Sequence, residues 1–179
     1  MIPGPLPSVG VSRKPNLILG LGNPLRGDDG VGCQVAEALA QQTLPPGVEV
    51  MDGGTPGVGL LHLLEGRRRV ILVDAADMGR APGSVVRFRP HEVRLGESAE
   101  GFSLHHSGVA EALALAEALR LDLPELVMFG VQPARIGWEQ ELSRPVQAAV
   151  ASVVVAVTQE AGGESLTGAD HGIREALDR

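Results

Sequence analysis

Asn16–Leu21 (NLILGL) is a short apolar run that stops at Gly22-Asn23-Pro24. A run of this length, bounded by turn formers, reads as a strand buried on both faces and leading into a loop. After Asp28-Asp29 the period changes. Val31, Val35, Ala38 and Leu39 recur at helical spacing, with Gln34, Glu37 and Gln41 away from them. Acidic residues suit the first turn of a helix, and Asp28 is placed to serve as its N-cap. Val48–Met51 reads as a second strand halted by Asp52-Gly53-Gly54, and Val58–Leu64 (VGLLHLL) as a short helix. Val70–Val73, strongly apolar and ending on Asp74, reads as a third strand. Val85–Phe88 alternates with Arg87 and Arg89, as an edge or half-exposed strand would. Residues 91–106 show no period and read as a long loop. A helix at Val109–Leu119 and a strand at Leu126–Val131 follow. The last helix, Arg144–Thr158, sets its apolar face on Val146, Ala149, Val150 and Val153.

Strands alternating with helices imply an α/β fold: a single domain with a mostly parallel sheet covered by helices on both faces. Ligands in such sheets sit beyond the carboxyl ends of the strands. That directs attention to the loops after Leu21, Met51, Val73 and Val131. The domain is expected to occupy residues 16–161. The Pro- and Gly-rich residues 1–15 read as a flexible leader, and the polar, Gly-containing residues 162–179 as a disordered tail.

Composition narrows the function. The chain has 179 residues, 44% hydrophobic and 21% charged, enough for one domain with a sizeable core. A net charge of −7 repels phosphate backbones and anionic lipid, so nucleic acid and membrane are not expected partners. Three Phe, one Trp and no Tyr are too few rings for a base-stacking platform. Cys33 is the only cysteine, so neither an intrachain disulfide nor a Cys-based zinc site can form. A reducing cytoplasm is the expected compartment. The N-terminus lacks the unbroken apolar core of a signal peptide, and no run approaches a membrane span.

Candidate chemistry falls on the strand ends. Asp74 terminates VILV, and Asp28-Asp29 close the first loop. A carboxylate in so apolar a setting needs a cation or several donors, and loop N–H groups alone would satisfy it. Asp52 stands similarly, but the following Gly-Gly favours a turn. Among the histidines, His62 lies among leucines, and His91 and His171 have no supporting neighbours; His105 and His106 are adjacent, just before the helix near Ser107-Gly108. Two carboxylates and an imidazole would suit a borderline divalent metal. Nucleophilic catalysis has little support. Cys33 lies inside the first helix as a small core residue, and no Gly-x-Ser-x-Gly elbow or His-Glu-x-x-His helix is present. The Gly-Leu-Gly-Asn loop lacks the third glycine of a dinucleotide fingerprint. Arg67-Arg68-Arg69 reads as a solvated turn.

Five blocks together resemble a known family. Asn16–Gly32 (NLILGLGNPLRGDDGVG) is similar to the opening signature of the hydrogenase maturation endopeptidases. Asp52-Gly-Gly-Thr-Pro-Gly, Val70–Gly79 (VILVDAADMG), Ser103–Gly108 (SLHHSG) and Phe129–Gly137 (FGVQPARIG) follow in that family's order, from about residue 16 to residue 160. The resemblance implies a twisted, mostly parallel sheet between helices, of the phosphorylase/hydrolase-like kind. It implies a metal-dependent, aspartic-type endopeptidase that removes the C-terminal extension of a nickel-iron hydrogenase large-subunit precursor. The nickel is carried by that precursor and held by an acidic residue after the first strand, an Asp at a later strand end and a His. Those positions match Asp29, Asp74 and His105, the last chosen over the alternative His106 by alignment to Gly108. The acidic position is Glu or Asp in the family. Asp is one methylene shorter, so the loop must approach the metal more closely, or Asp28 must substitute. The enzyme is expected to be a monomer or weak oligomer that docks transiently on its precursor.

Other readings use parts of the same pattern. Peptidyl-tRNA hydrolase also opens with a strand and Gly-Leu-Gly-Asn-Pro, but needs a catalytic His soon after, and none occurs here before His62. A non-catalytic nickel- or precursor-binding module is a second class, though no His-rich tract is present. A germination-type protease is a third, and the Phe129–Gly137 block favours the hydrogenase branch over it.

Overall fold

Among the described residues five strands and four helices are present, and the strands form one sheet: β1 (Asn16–Leu21), β2 (Val48–Gly54), β3 (Arg69–Ala75), β4 (Val85–Phe88) and β5 (Glu125–Val131). The helices are α1 (Val31–Ala40), α2 (Leu60–Leu64), α3 (Val109–Ala118) and α4 (Arg144–Gly162). The computed structural model describes residues 15–92 and 108–163. The expected leader and tail, and His105, His106 and His171, lie outside the described residues, apart from Pro15, Gly162 and Gly163.

The strand order is β2-β1-β3-β5-β4, parallel throughout except for β4, which runs antiparallel to β5 at the edge. Both faces of the sheet are covered, as the near-continuous apolar strands require. Ile18, Ile71, Val73, Val127, Phe129 and Val131 pack with α1 and α4. Leu17, Leu19, Leu21, Val70, Leu72 and Met128 pack with α2 and α3 on the other face. The chain leaves β1 towards β2 on one side and returns to β3 on the other. The carboxyl ends of β1 and β3 therefore flank a topological switch point, where α/β sheets open their crevice.

Three sequence expectations are corrected. Asp28 does not cap a helix: Asp28–Gly30 form a 3-10 turn, and Gly30, without a side-chain bond, occupies the N-cap of α1. β2 runs on through Asp52 to Gly54, because Gly54 still pairs with Leu21 across a register shift. Of the Arg67–Arg69 run only Arg68 is exposed to solvent as expected; Arg67 and Arg69 are half-buried and paired. Arg67 pairs with Glu49 at 2.5 Å and donates to the Pro15 carbonyl at 2.9 Å, and Arg69 pairs with Glu160 of α4. Glu160 also accepts from Arg87 Nε at 2.8 Å, which ties α4 to β3 and β4. Burial alone would raise the Glu160 carboxyl, but the hydrogen bonds and charges of Arg87 and Arg69 outweigh it and hold the group below its ordinary value.

Candidate active site

The loop after β1 lies against the sheet because glycines remove the side chains that would hold it off. A Cβ on Gly22 would fall 1.7 Å from the Asp29 carbonyl oxygen. One on Gly32 would fall 2.2 Å from the carbonyl oxygen of Leu21 and 2.3 Å from that of Val73. One on Gly30 would meet the Pro24 Cα at 2.8 Å. The Gly-x-Gly-Asn-Pro and Asp-Asp-Gly-Val-Gly segments are therefore a packing device. They press the 3-10 turn and the start of α1 onto the ends of β1 and β3.

That device brings the acidic residues to the switch point. Asp28, Asp29 and Asp74 are all fully buried. Asp28 has a scaffold role. Its Oδ1 accepts from the Ser143 amide at 2.6 Å, and its Oδ2 accepts from the Ser143 hydroxyl at 2.8 Å and from the amides of Ala134 and Arg135 at 2.8 and 3.1 Å. Both carboxylate oxygens thus serve the segment after β5. Ser143, which stands at the N-cap of α4, gives its hydroxyl to Asp28 and not to its own helix. Asp29 differs: its Oδ2 accepts from the Asn23 amide at 3.0 Å within its own loop.

Asp74 occupies the next-to-last position of β3, in register with Gly130 of β5. Alternation along β3 puts it on the same face as Val70 and Leu72, the side covered by α2 and α3. Gly108 opens α3 on that side, so close to Gly57 that a Cβ there would fall 2.5 Å from the Gly57 Cα. Among the described residues no three His, Cys, Asp or Glu side chains converge to hold a metal ion. Two of the three expected site residues, Asp29 and Asp74, thus lie on adjoining elements. The third, His105, lies outside the described residues. His62, on α2, and His91, just after β4, are exposed.

Around this crevice stand residues to which the sequence assigned less. Cys33 is buried, and its thiol donates to the Gly22 carbonyl at 3.3 Å. Burial, the hydrogen bond and charge of Asp52, and the charge of Asp74 push that thiol up from 9.0 to about 12. It is a neutral packing group, as its helical position suggested. Asp52 is exposed and accepts from the Gly54 amide at 3.0 Å, the turn role expected of it. Gln132 was not singled out by sequence. Nearly buried, it accepts the amides of Met78 and Arg80 at 2.7 and 3.2 Å and donates to Asp77 Oδ1 at 3.0 Å, bracing the loop after β3. A lone polar residue directly after an apolar strand was the available signal.

The family model for hydrogenase maturation protease matches residues 33–160. The hydrogenase expression/formation protein HupM of Azotobacter chroococcum is 40% identical over 134 residues, which is 74% of this chain and 64% of that protein. This chain therefore spans a little under two thirds of that relative's length. Among solved structures, the hydrogenase maturating endopeptidase HybD from E. coli superposes with a TM-score of 0.72 at 30% identity, covering 84% of this chain and 94% of that one. The nickel-iron hydrogenase maturation protease HybD from Thermococcus kodakarensis gives 0.64 at 33% identity, covering 82% and 99%. With the shared sheet, the glycine-packed first loop and a family match over most of its length, this chain belongs to the hydrogenase maturation proteases.

Proposed function

We propose that this chain is the endopeptidase that trims the C-terminal extension from the large-subunit precursor of a nickel-iron hydrogenase, and that nickel already held by the precursor is its recognition handle. The observation carrying this reading is the burial of Asp29 and Asp74 on the two elements that flank the switch point, while Asp28 is committed to scaffolding. Asp29, Asp74 and His105 are assigned to the nickel. Carboxylates and an imidazole make a mixed oxygen and nitrogen set that fits a borderline divalent ion. The close approach of the first loop, through Gly22 and Gly32, offsets the reach that Asp29 lacks relative to Glu. His105 precedes Gly108 by three positions, and three residues of chain span at most about 11 Å.

Docking on a metal that the precursor thiolates already hold would fix the scissile peptide at the crevice, supplying orientation. Water adds to the carbonyl carbon, the C–N bond breaks, and the proton passes to the departing amine. Held by Asp29, Asp74 and His105, nickel would supply Lewis-acid polarisation of the carbonyl, and Asp29 or Asp74 would take a proton from the water. An incomplete protein site makes nickel insertion a checkpoint. We place the reaction in the cytoplasm, whose reducing conditions suit both a thiolate-held metal and a chain with one cysteine. Purified protein is expected to cut nickel-loaded precursor and to leave nickel-free precursor intact. Equal rates would dispose of nickel as the handle, and no cleavage of either form would dispose of the activity.

A further inference from the structure

The chain's only tryptophan, Trp138, is 83% exposed, so it contributes little to the fold. The loop that carries it is nevertheless tied down. The Arg26 guanidinium carbon lies 5.8 Å from its ring centroid. The Gly27 amide donates to the Glu139 carbonyl at 2.6 Å, and Gly27 bridges to Ile136. Below them the Asp28 carboxylate gathers the amides of Ala134, Arg135 and Ser143. The loop that presents the ring is thereby bound to the turn that carries Asp29.

Arg26 is half-buried against this ring. Arg67, Arg69, Arg87, Arg89 and Arg135 each face a carboxylate. Among the described residues the Arg26 guanidinium makes no hydrogen bond and no ion pair, and its neighbour is the Trp138 ring. Stacked on a ring, a guanidinium keeps its edge N–H groups available to a carboxylate. Leu25, the residue before Arg26, is 51% exposed.

We infer that Arg26 and Trp138 form a docking element for the precursor polypeptide, in which Trp138 covers an apolar side chain and Arg26 takes a carboxylate of the same segment. The inference rests on the function proposed above and extends it to a surface outside the acidic crevice. A large ring with two side-chain torsions on a braced loop loses little freedom on binding, so its burial is available as affinity. The cation supplies a contact for an acidic group that a chain of net charge −7 would otherwise repel.

The test uses nickel-loaded precursor and the full chain. Trp138→Ala is expected to raise KM about ten-fold or more with kcat within two-fold. Trp138→Phe should recover part of that loss. Arg26→Gln is expected to raise KM several-fold and to flatten its dependence on salt. Thermal midpoints establish that each variant folds. Labelling with 5-fluorotryptophan gives a single resonance, which is expected to shift on addition of precursor. A wild-type chain inert towards the precursor would refute the function itself. A wild-type chain that cleaves while these variants match its KM, with no shift of the resonance, would refute only the docking element. A shift that depends on protein concentration without precursor would assign the patch to a second copy of this chain and overturn the proposal.

Discussion

At the amino end of the sheet, Glu160 is buried between the guanidiniums of Arg69 and Arg87. At the carboxyl end, Asp28 is buried just as deeply, but its partners are three amides and a hydroxyl. Both carboxylates hold distant segments together. One fastens the last helix to two strands, and the other fastens the loop after β5 to the loop after β1. The difference lies in the sign of what surrounds them. Charge-matched Glu160 is committed to stability. Neutral donors fix Asp28 without bringing a cation into the crevice, so negative charge can collect there beside Asp29, Asp74 and Asp52. A site of the proposed kind, which receives a cation from a client protein, is better scaffolded this way than with arginines.

The sharpest test of that distinction separates activity from stability. Asp74→Asn is expected to lower kcat on nickel-loaded precursor by about 10³-fold, roughly 4 kcal/mol, while the thermal midpoint changes little. Asp29→Asn should behave alike. Wild-type cleavage by either variant would remove that residue from the site.

Asp28→Ala should break the molecule where Asp29→Ala does not. Removing one acceptor strands the buried Ser143 amide and its neighbours, at a cost of about 3 kcal/mol, read as a lower denaturation midpoint at unchanged slope. Cleavage should fall with it, because the loop carrying Asp29 loses its brace. Equal stability of the two alanine variants would erase the division of labour between neighbouring aspartates.

That division is what the sequence could not express. Strands β1, β3 and β5 were legible because each is a short apolar run ended by a turn or a polar residue, and the helices because their apolar positions recur at 3.6 residues. As candidates, Asp74 was legible as the polar residue that ends such a run and Asp29 as an acidic residue closing the first loop, both sharpened by the family resemblance. The role of Asp28 was not. Its partners lie 106 to 115 positions away, and an acidic residue before a helix looks like a cap whether or not it is one. Arg69 and Arg87 gave the same difficulty: a basic run and an alternating edge strand show charge, while the carboxylate that neutralises both arrives 73 to 91 positions later on α4.

Glu160→Gln breaks the other end of the comparison. The arginines are partly exposed, with 17% and 26% of their side chains in water, so the loss is expected near 2 kcal/mol at neutral pH, below the range for fully buried pairs. The folded carboxyl is held below its ordinary 4.5, so its contribution is present above that value and lost as pH falls through the lower folded value. Wild-type and variant stabilities should therefore converge below about pH 4.5. The kcat of the variant at a permissive temperature should match wild type, and a parallel loss of kcat would show that the two ends are coupled.

Cys33 gives the smallest effect, and it tests whether the crevice is acidic at all. Its thiol is pushed from 9.0 to about 12, first by burial and then by Asp52 and Asp74. The unfolded chain ionises this group near its ordinary value while the folded chain does not, so stability from this source is intact below about pH 9 and declines between there and about 12. Native protein at pH 8 should accordingly resist alkylation that proceeds readily in denaturant. Cys33→Ala should cost about 1 kcal/mol or less and leave kcat within two-fold. The Asp74→Asn background sharpens the reading. Removing one of the carboxylates that raise the thiol should quicken native alkylation modestly, with Asp52 and burial still in place. An unchanged rate would mean that the Asp74 charge does not reach Cys33, and that the carboxylates at this end of the sheet are less crowded than their shared switch point requires.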